Sequence, residues 1–245
     1  MTSPTRDEDY QVAVRAASSE RGVCIRLGLD DVDRPRAIRE VYSLLAHLSF
    51  SLEDTDLILD CGQIEEVPPR IGGTLSRLPD LPRWRTLTVT AGAFPKDLMG
   101  FKVSQHLYPR LDWLSWRAQV TEEATLPRVP TYGDYTIQHA IFIEPPERAN
   151  FSASIRYTTD EHWLIMRGEG VFNEGGPGFG QWPANARLLI ERPEFCGPEF
   201  SDGDRYVYEM GQQTSKTGNP ESWLRAGINH HVTFVVRQIS QTLCD

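Results

Sequence analysis

VCIRLGLDDVDRPRAIREVYSLLAHLSFSLEDTDLILDCG, residues 23–62, decides the fold. It opens on Val23–Leu29, a run rich in branched residues, and turns through Asp30, Asp31 and Asp33. From Pro35 it continues with Ile38, Val41, Leu44, Leu45 and Leu48 on one face of a 3.6-residue period, which predicts a helix. It closes on Asp56–Gly62, near-continuously apolar at Leu57–Leu59, as in strands covered on both faces. Strand, helix, strand at about 30 residues per unit is the βαβ signature and predicts parallel strands.

Outward from this stretch the pattern continues and then loosens. Tyr10–Ser19 has helical spacing, and Ile71–Leu81 is helix-like though weakened by Gly72 and Gly73. Thr86–Gly92 repeats the strand pattern, Phe94–Leu107 is expected to be helical, and Trp113–Trp116 and Thr131–His139 read as strands. Ala149–Tyr157 and Trp163–Arg167 are expected to be strands joined by the acidic turn Thr158–His162. Glu169–Gly180 is glycine-rich and predicts a surface loop, followed by a helix at Trp182–Glu191. Phe195–Asp204 reads as a loop, Asp204–Glu209 as a short strand and Gln212–Pro220 as a polar connection. In the closing run NHHVTFVVRQISQTL (229–243) branched residues favour a strand, but its length and Asn229 as a cap favour the helix expected here. The expectation is a single α/β domain, 1–245: (β/α) barrel-like, an incomplete or irregular TIM-type barrel, with an irregular C-terminal third.

Composition bounds the function classes. At 40% hydrophobic and 24% charged residues the chain is globular, and 245 residues suffice for a sizeable core. A net charge of −9 argues against a broad basic surface for nucleic acid. Cys24, Cys61, Cys196 and Cys244 are far apart, with no CxxC and no Cys–His metal spacing; Cys24 and Cys61 read as buried thiols. The first residues lack an apolar signal core and no apolar run approaches a membrane span, so the expectation is a cytoplasmic protein. No GxGxxG, no GxxxxGK[ST] and no G-x-S-x-G occurs, so neither a dinucleotide fold, a P-loop nor a nucleophile elbow has support, and no cofactor is implied.

Three motifs share an order with a known family: GDYTIQH (133–139), SASIRYTTDEHWLIMRG (152–168) and SWLRAGINHHVTFVVRQI (222–239). In this order they resemble the Beta family of phage and bacterial proteins, and the likeness extends upstream through VCIRLGL and LILDCG. The resemblance implies a β/α-barrel-like fold and a setting of phage satellites, prophages and anti-phage defence islands. It carries positions but no catalytic roles. Family members usually begin with further β/α units. Counting strands upstream of Thr158 gives roughly six, too few for a closed eight-stranded barrel. The expectation is therefore that another chain or a self-dimer supplies the missing part, or that the barrel is irregular.

Groups able to carry charge or protons concentrate at strand ends, where barrels and open α/β sheets place their sites. Asp134 and His139 are an acid–base couple if the strand ends between them, or a turn cap and a carbonyl-bonded histidine. Arg156 and Arg167 end neighbouring strands; they either hold a phosphate or carboxylate, or pair with Asp134, Asp60 or Glu169 to brace the mouth. Tyr135, Tyr157 and Trp163 stack on a planar ligand or pack in the core. Asp30, Asp31 and Asp60 supply carboxylates or cap helices, with capping favoured for Asp31 and Asp33. Of the adjacent His230 and His231, one is expected to reach the rim and the other to face solvent, and Phe234 in place of an i+4 ligand argues against a metal. The leading expectation is a protein of phage–host conflict, in defence or toxin neutralisation, acting through a protein partner or self-association. The alternatives are a barrel hydrolase using Asp60, Asp134, His139, Arg156 and Arg167 in one mouth, and a small-ligand sensor with the same mouth and no catalysis; Arg156, Tyr157, Trp163, Arg167 and His230 are the candidate ligand-binding residues.

Overall fold

The computed structural model describes residues 1–18, 21–66, 71–78, 80–122, 126–142, 144, 149–212 and 216–242; Cys244, Ser19 and part of the polar connection at 212–220 lie outside them. In chain order the elements are α1 (Glu8–Ala17), β1 (Val23–Gly28), α2 (Leu29–Asp33), α3 (Ala37–Leu48), β2 (Thr55–Gln63), α4 (Ile71–Leu75), β3 (Thr86–Gly92), β4 (Ser104–Pro109), α5 (Leu111–Glu122), β5 (Thr131–Asp134), β6 (Ile155–Thr158), β7 (His162–Arg167), α6 (Gln181–Ile190), α7 (Asp202–Gln212) and α8 (Pro220–Thr242). They fall into two compact units, Met1–Ala93 with Leu111–Tyr135, and Phe94–Arg110 with Thr136–Asp245.

The first unit holds a parallel sheet in the order β1-β2-β3-β5. Its strands alternate. Ile25, Leu57 and Leu87 lie side by side on one face and are almost wholly buried, as are Leu27, Leu59 and Val89. The apolar stripe of α3, Val41, Leu44, Leu45 and Leu48, is buried as well. Arg26, Ile58 and Asp60 lie on the opposite face. Two glycines fix the strand ends. A Cβ at Gly22 would sit 2.0 Å from the Asp54 carbonyl oxygen, and Gly62 takes φ 64 where the β2–β3 register slips between Asp60 and Gln63.

The second unit holds an antiparallel sheet, β4-β7-β6. Ile155, Tyr157, Leu164 and Met166 share a core with Trp182, Ala186 and Leu189 of α6, Val207 and Met210 of α7, and Trp223 of α8. Gly203 and Gly227 let the layers approach. A Cβ on Gly203 would lie 2.1 Å from Ala226 O, and one on Gly227 2.9 Å from Arg156 O.

The fold is mixed α/β, and neither sheet closes: β1 and β5 bound the first and β4 and β6 the second. No closed TIM-type barrel is formed by the described strands. Several elements differ from their sequence reading. Phe94–Leu107 is not a helix; Pro95 and Gly100 break it and Ser104–Pro109 pairs with β7 instead. Trp113–Trp116 lies inside α5, where i, i+3 spacing puts both rings together at 5.3 Å; a four-residue apolar run carries too little periodicity to tell strand from helix. Asp204–Glu209 belongs to α7, whose start is capped by Ser201, its Oγ accepting from Asp204 N–H at 3.1 Å. The helix expected from Pro35 begins at Ala37, and Asp31 caps the short α2 by accepting from Gly28 N–H at 2.9 Å. Thr131–His139 and Ala149–Tyr157 form strand only at Thr131–Asp134 and Ile155–Thr158. The closing run is helical throughout its described length, within α8. Cys24 is half-buried rather than buried, because it sits on the less covered face of β1; Cys61 is buried, which pushes its thiol up to about 12.

Candidate functional site

The register of β6 and β7 decides what the arginines can do. Arg156 pairs with Ile165, so Arg156 and Arg167 are diagonal neighbours on one face of the sheet. Ile155, Tyr157, Leu164 and Met166 point the other way, into the helical core. Diagonal backbone positions in such a pair are roughly 7–8 Å apart. Two unit charges at that separation repel by about 2 kcal/mol at an effective dielectric of about 20.

Nothing carrying formal negative charge compensates them directly. Arg156 donates from Nη1 to Ile137 O at 2.8 Å and stacks its guanidinium 4.6 Å from the Phe94 ring centre. Arg167 donates from Nε to Leu98 O at 3.0 Å and from Nη1 to Gly168 O. Among the described residues no carboxylate lies within ion-pair distance of either. Both are half-buried. Burial holds Arg156 down to about 10, and lowers Arg167 too, where Asp97 pulls weakly the other way. Both line one cleft of about 510 Å³, together with Lys96, Asp97, Ser154, Phe151, Trp182 and Trp223.

The other candidates stand elsewhere. Asp60, 5% exposed, closes the C-terminal end of β2 in the first unit. Its Oδ2 accepts from Arg26 Nε at 2.6 Å and from Tyr135 Oη at 2.5 Å, and its Oδ1 accepts from Gly62 N–H at 2.8 Å. Burial, and then the hydrogen bond to Asp60, push the Tyr135 phenol up to about 12. A concavity of about 660 Å³ opens beside this group, lined by Arg26, Asp30, Asp31 and Asp60. Asp60 already has three donors, and Asp31 is held by Gly28 N–H and Arg34, so two of its three acids are met from within. Asp134 ends β5 in the first unit, and His139 belongs to the second, where its Nδ1 accepts from Ile141 N–H at 3.2 Å.

Tyr157, Trp163 and His230 are buried. Trp163 packs edge-on to Phe94 at 5.2 Å and lies against Tyr108. Tyr157 and His230 join a polar cluster around Asp204, a residue with no signal in the sequence. Asp204 accepts from Tyr157 Oη at 2.6 Å and Ser201 Oγ at 2.6 Å, and lies 2.9 Å from His230 Nδ1. His230 Nε2 is 2.9 Å from Thr158 O. The imidazole thus sits between the Asp204 carboxylate on one side and the Thr158 carbonyl on the other. This cluster ties β6, α7 and α8 together. Arg26 was also missed; a lone arginine at an alternate position of an apolar strand was its only signal. No group of three His, Cys, Asp or Glu side chains among the described residues could hold a metal ion, and no helix among them is long and apolar enough to cross a membrane.

The fold and cleft thus define a mixed α/β protein whose second unit presents two arginines, bonded to backbone carbonyls, in a concave, aromatic-walled site. The chain belongs to the Beta protein family: the family model, described as Beta protein, matches residues 2–237. No curated protein and no solved structure matches the chain.

Proposed function

We propose that this Beta-family chain is a recognition protein of phage–host conflict that takes a small anionic ligand between Arg156 and Arg167. The observation that carries the ligand reading is the arginine pair itself: diagonal neighbours on one sheet face, half-buried, and bonded to carbonyls rather than carboxylates. A pair that only braced the mouth would be matched by acids. The phage setting and a cytoplasmic location are supported by the family likeness alone. A hydrolase is disfavoured by Asp60, whose three donors leave it poorly placed to take a proton.

The test is thermal unfolding of the whole chain with inorganic phosphate, sulfate and acetate. A ligand at a hundred times its Kd stabilises by about 2.7 kcal/mol. Wild type is expected to be stabilised by at least one anion, and Arg156→Gln and Arg167→Gln to lose that response while keeping their circular dichroism. An unresponsive wild type would sink the reading.

A second reading, contact with a protein partner, is favoured by β4. It is an edge strand with Val103 at 59% and Leu107 at 55% exposure beside and within it. Leu107→Lys is expected to abolish protection in a phage challenge run with the neighbouring genes, without altering anion binding. Retained protection would remove β4 from consideration.

A further inference from the structure

We infer that the ligand of the arginine cleft is a small organic phosphate monoester, a dianionic phosphoryl group on a compact apolar body. This rests on the anion-site reading above. The first support is charge. The cleft is lined by three cations, Lys96, Arg156 and Arg167, against one carboxylate, Asp97. Among the described lining residues that leaves two more positive than negative charges. A carboxylate or a sulfate ester would neutralise one of them, whereas a phosphoryl group carries about −1.5 to −2 at pH 7.

The second support is donor geometry. A guanidinium has five N–H donors. Arg156 commits one to Ile137 O, and Arg167 commits two, to Leu98 O and Gly168 O. The remaining donors outnumber what a two-oxygen carboxylate uses from opposite sides, and a tetrahedral three-oxygen group between diagonal arginines can take them. The third support is the wall. Phe151, Met99, Ile137 and Leu224 give the cleft an apolar side, and a volume of about 510 Å³ exceeds what a bare phosphate fills. That volume is within the range of about 300–1,000 Å³ typical of small-molecule sites.

The test is calorimetric titration of the full chain with phenyl phosphate, phenyl sulfate, benzoate, inorganic phosphate and a phosphotyrosine hexapeptide, at pH 5.0 and 7.5. Phenyl phosphate is expected to bind at least tenfold tighter than phenyl sulfate or benzoate at pH 7.5. Its affinity should rise at least fivefold from pH 5.0 to 7.5, because the second phosphate proton leaves near pH 6. Sulfate and carboxylate binding should stay flat. Arg156→Gln and Arg167→Gln should each lose tenfold or more, with Arg156→Lys recovering part of the loss. The wild-type pH profile needs no variant, so misfolding of a mutant cannot mask the answer. Benzoate or phenyl sulfate matching phenyl phosphate, or a flat profile, would overturn the phosphomonoester while leaving an anion site standing. Inorganic phosphate matching phenyl phosphate would overturn the apolar body, and a tighter hexapeptide would overturn the small-molecule class. If none of the anions binds, the anion site itself fails.

Discussion

Removing the His230 side chain should be among the most damaging single changes in the second unit. His230 and Asp204 are 1% and 0% exposed and 2.9 Å apart. Tyr157, stacked on the imidazole at 3.7 Å between ring centres, donates to the same carboxylate, and Ser201 donates to it as well. In His230→Ala the Asp204 carboxylate loses its imidazole partner while remaining out of water, and the Thr158 carbonyl loses its contact with the ring. Breaking one side of a buried pair costs about 3–5 kcal/mol, a large share of the roughly 5–15 kcal/mol that holds a domain folded. With a urea dependence of about 1–3 kcal/mol per molar, the midpoint should fall by one to several molar. Asp204→Asn is the informative contrast. Its amide keeps the volume, accepts from Tyr157 and can still hydrogen-bond to the His230 ring, so it should cost only about 1–2 kcal/mol. Asp204→Ala should resemble His230→Ala. Because the chain has two units, amide hydrogen exchange on β6 and α8 should accompany urea unfolding. A loss below about 1 kcal/mol in His230→Ala, or equal costs for Asp204→Asn and Asp204→Ala, would show that the pair is not the brace described above.

Gly227→Ala places a methyl 2.7 Å from Ile137 Cδ1 and 2.9 Å from Arg156 O, so it should cost about 1–3 kcal/mol in thermal unfolding and weaken anion binding by shifting Arg156. Tyr135→Phe should cost about 1–2 kcal/mol by removing a donor to Asp60. Ultraviolet titration of that variant should lose a phenol ionising near pH 12, and loss instead of one ionising near the ordinary value of about 10 would contradict the buried placement of Tyr135. The Asp56 carboxyl is held below its ordinary range by the paired hydrogen bonds from Arg85, at 2.9 and 2.6 Å. A lowered folded value means the contribution is present above the unfolded value of about 3.9 and disappears as pH falls through the lower folded value. Both partners are about one-third exposed, so Asp56→Asn should remove at most about 1 kcal/mol at pH 7 and progressively less as pH falls through the lowered folded value. A cost that persists in acid would mean packing, not charge, is responsible.

The first three strands and α3 were legible because their signals are local. Ile25, Leu57 and Leu87 sit in branched runs, and Val41, Leu44, Leu45 and Leu48 repeat at helical spacing. Phe94–Pro109 was not legible, since its pairing with β7 draws on residues about sixty positions away. The arginine pair was visible as two strand-end cations, but whether they share a face depends on a register of Arg156 opposite Ile165 that no short window contains. Asp204 was invisible for a similar reason. Its meaning comes from Tyr157, 47 residues before it, and His230, 26 after it.

That register links the brace to the cleft. Side chains on a strand alternate, so a slip of one residue in β6 would turn Arg156 toward Ala186 and Leu189 and send Tyr157 to the cleft face. Tyr157 is anchored to Asp204, and Thr158 supplies its carbonyl to His230 and its hydroxyl to His231 at 2.8 Å. These bonds fix the even-numbered and odd-numbered residues of the strand at once. The arginines can stay on the cleft face without a carboxylate partner because the opposite face is pinned by polar contacts as well as by packing, and a slipped strand would lose both. Asp204 and His230 therefore act on the cleft without lining it. Their variants should weaken anion binding in proportion to the disorder they cause in β6, while Arg156→Gln should weaken binding with β6 still protected from exchange. Equal protection of β6 in His230→Ala and in Arg156→Gln, with binding lost in both, would break the link between register and site.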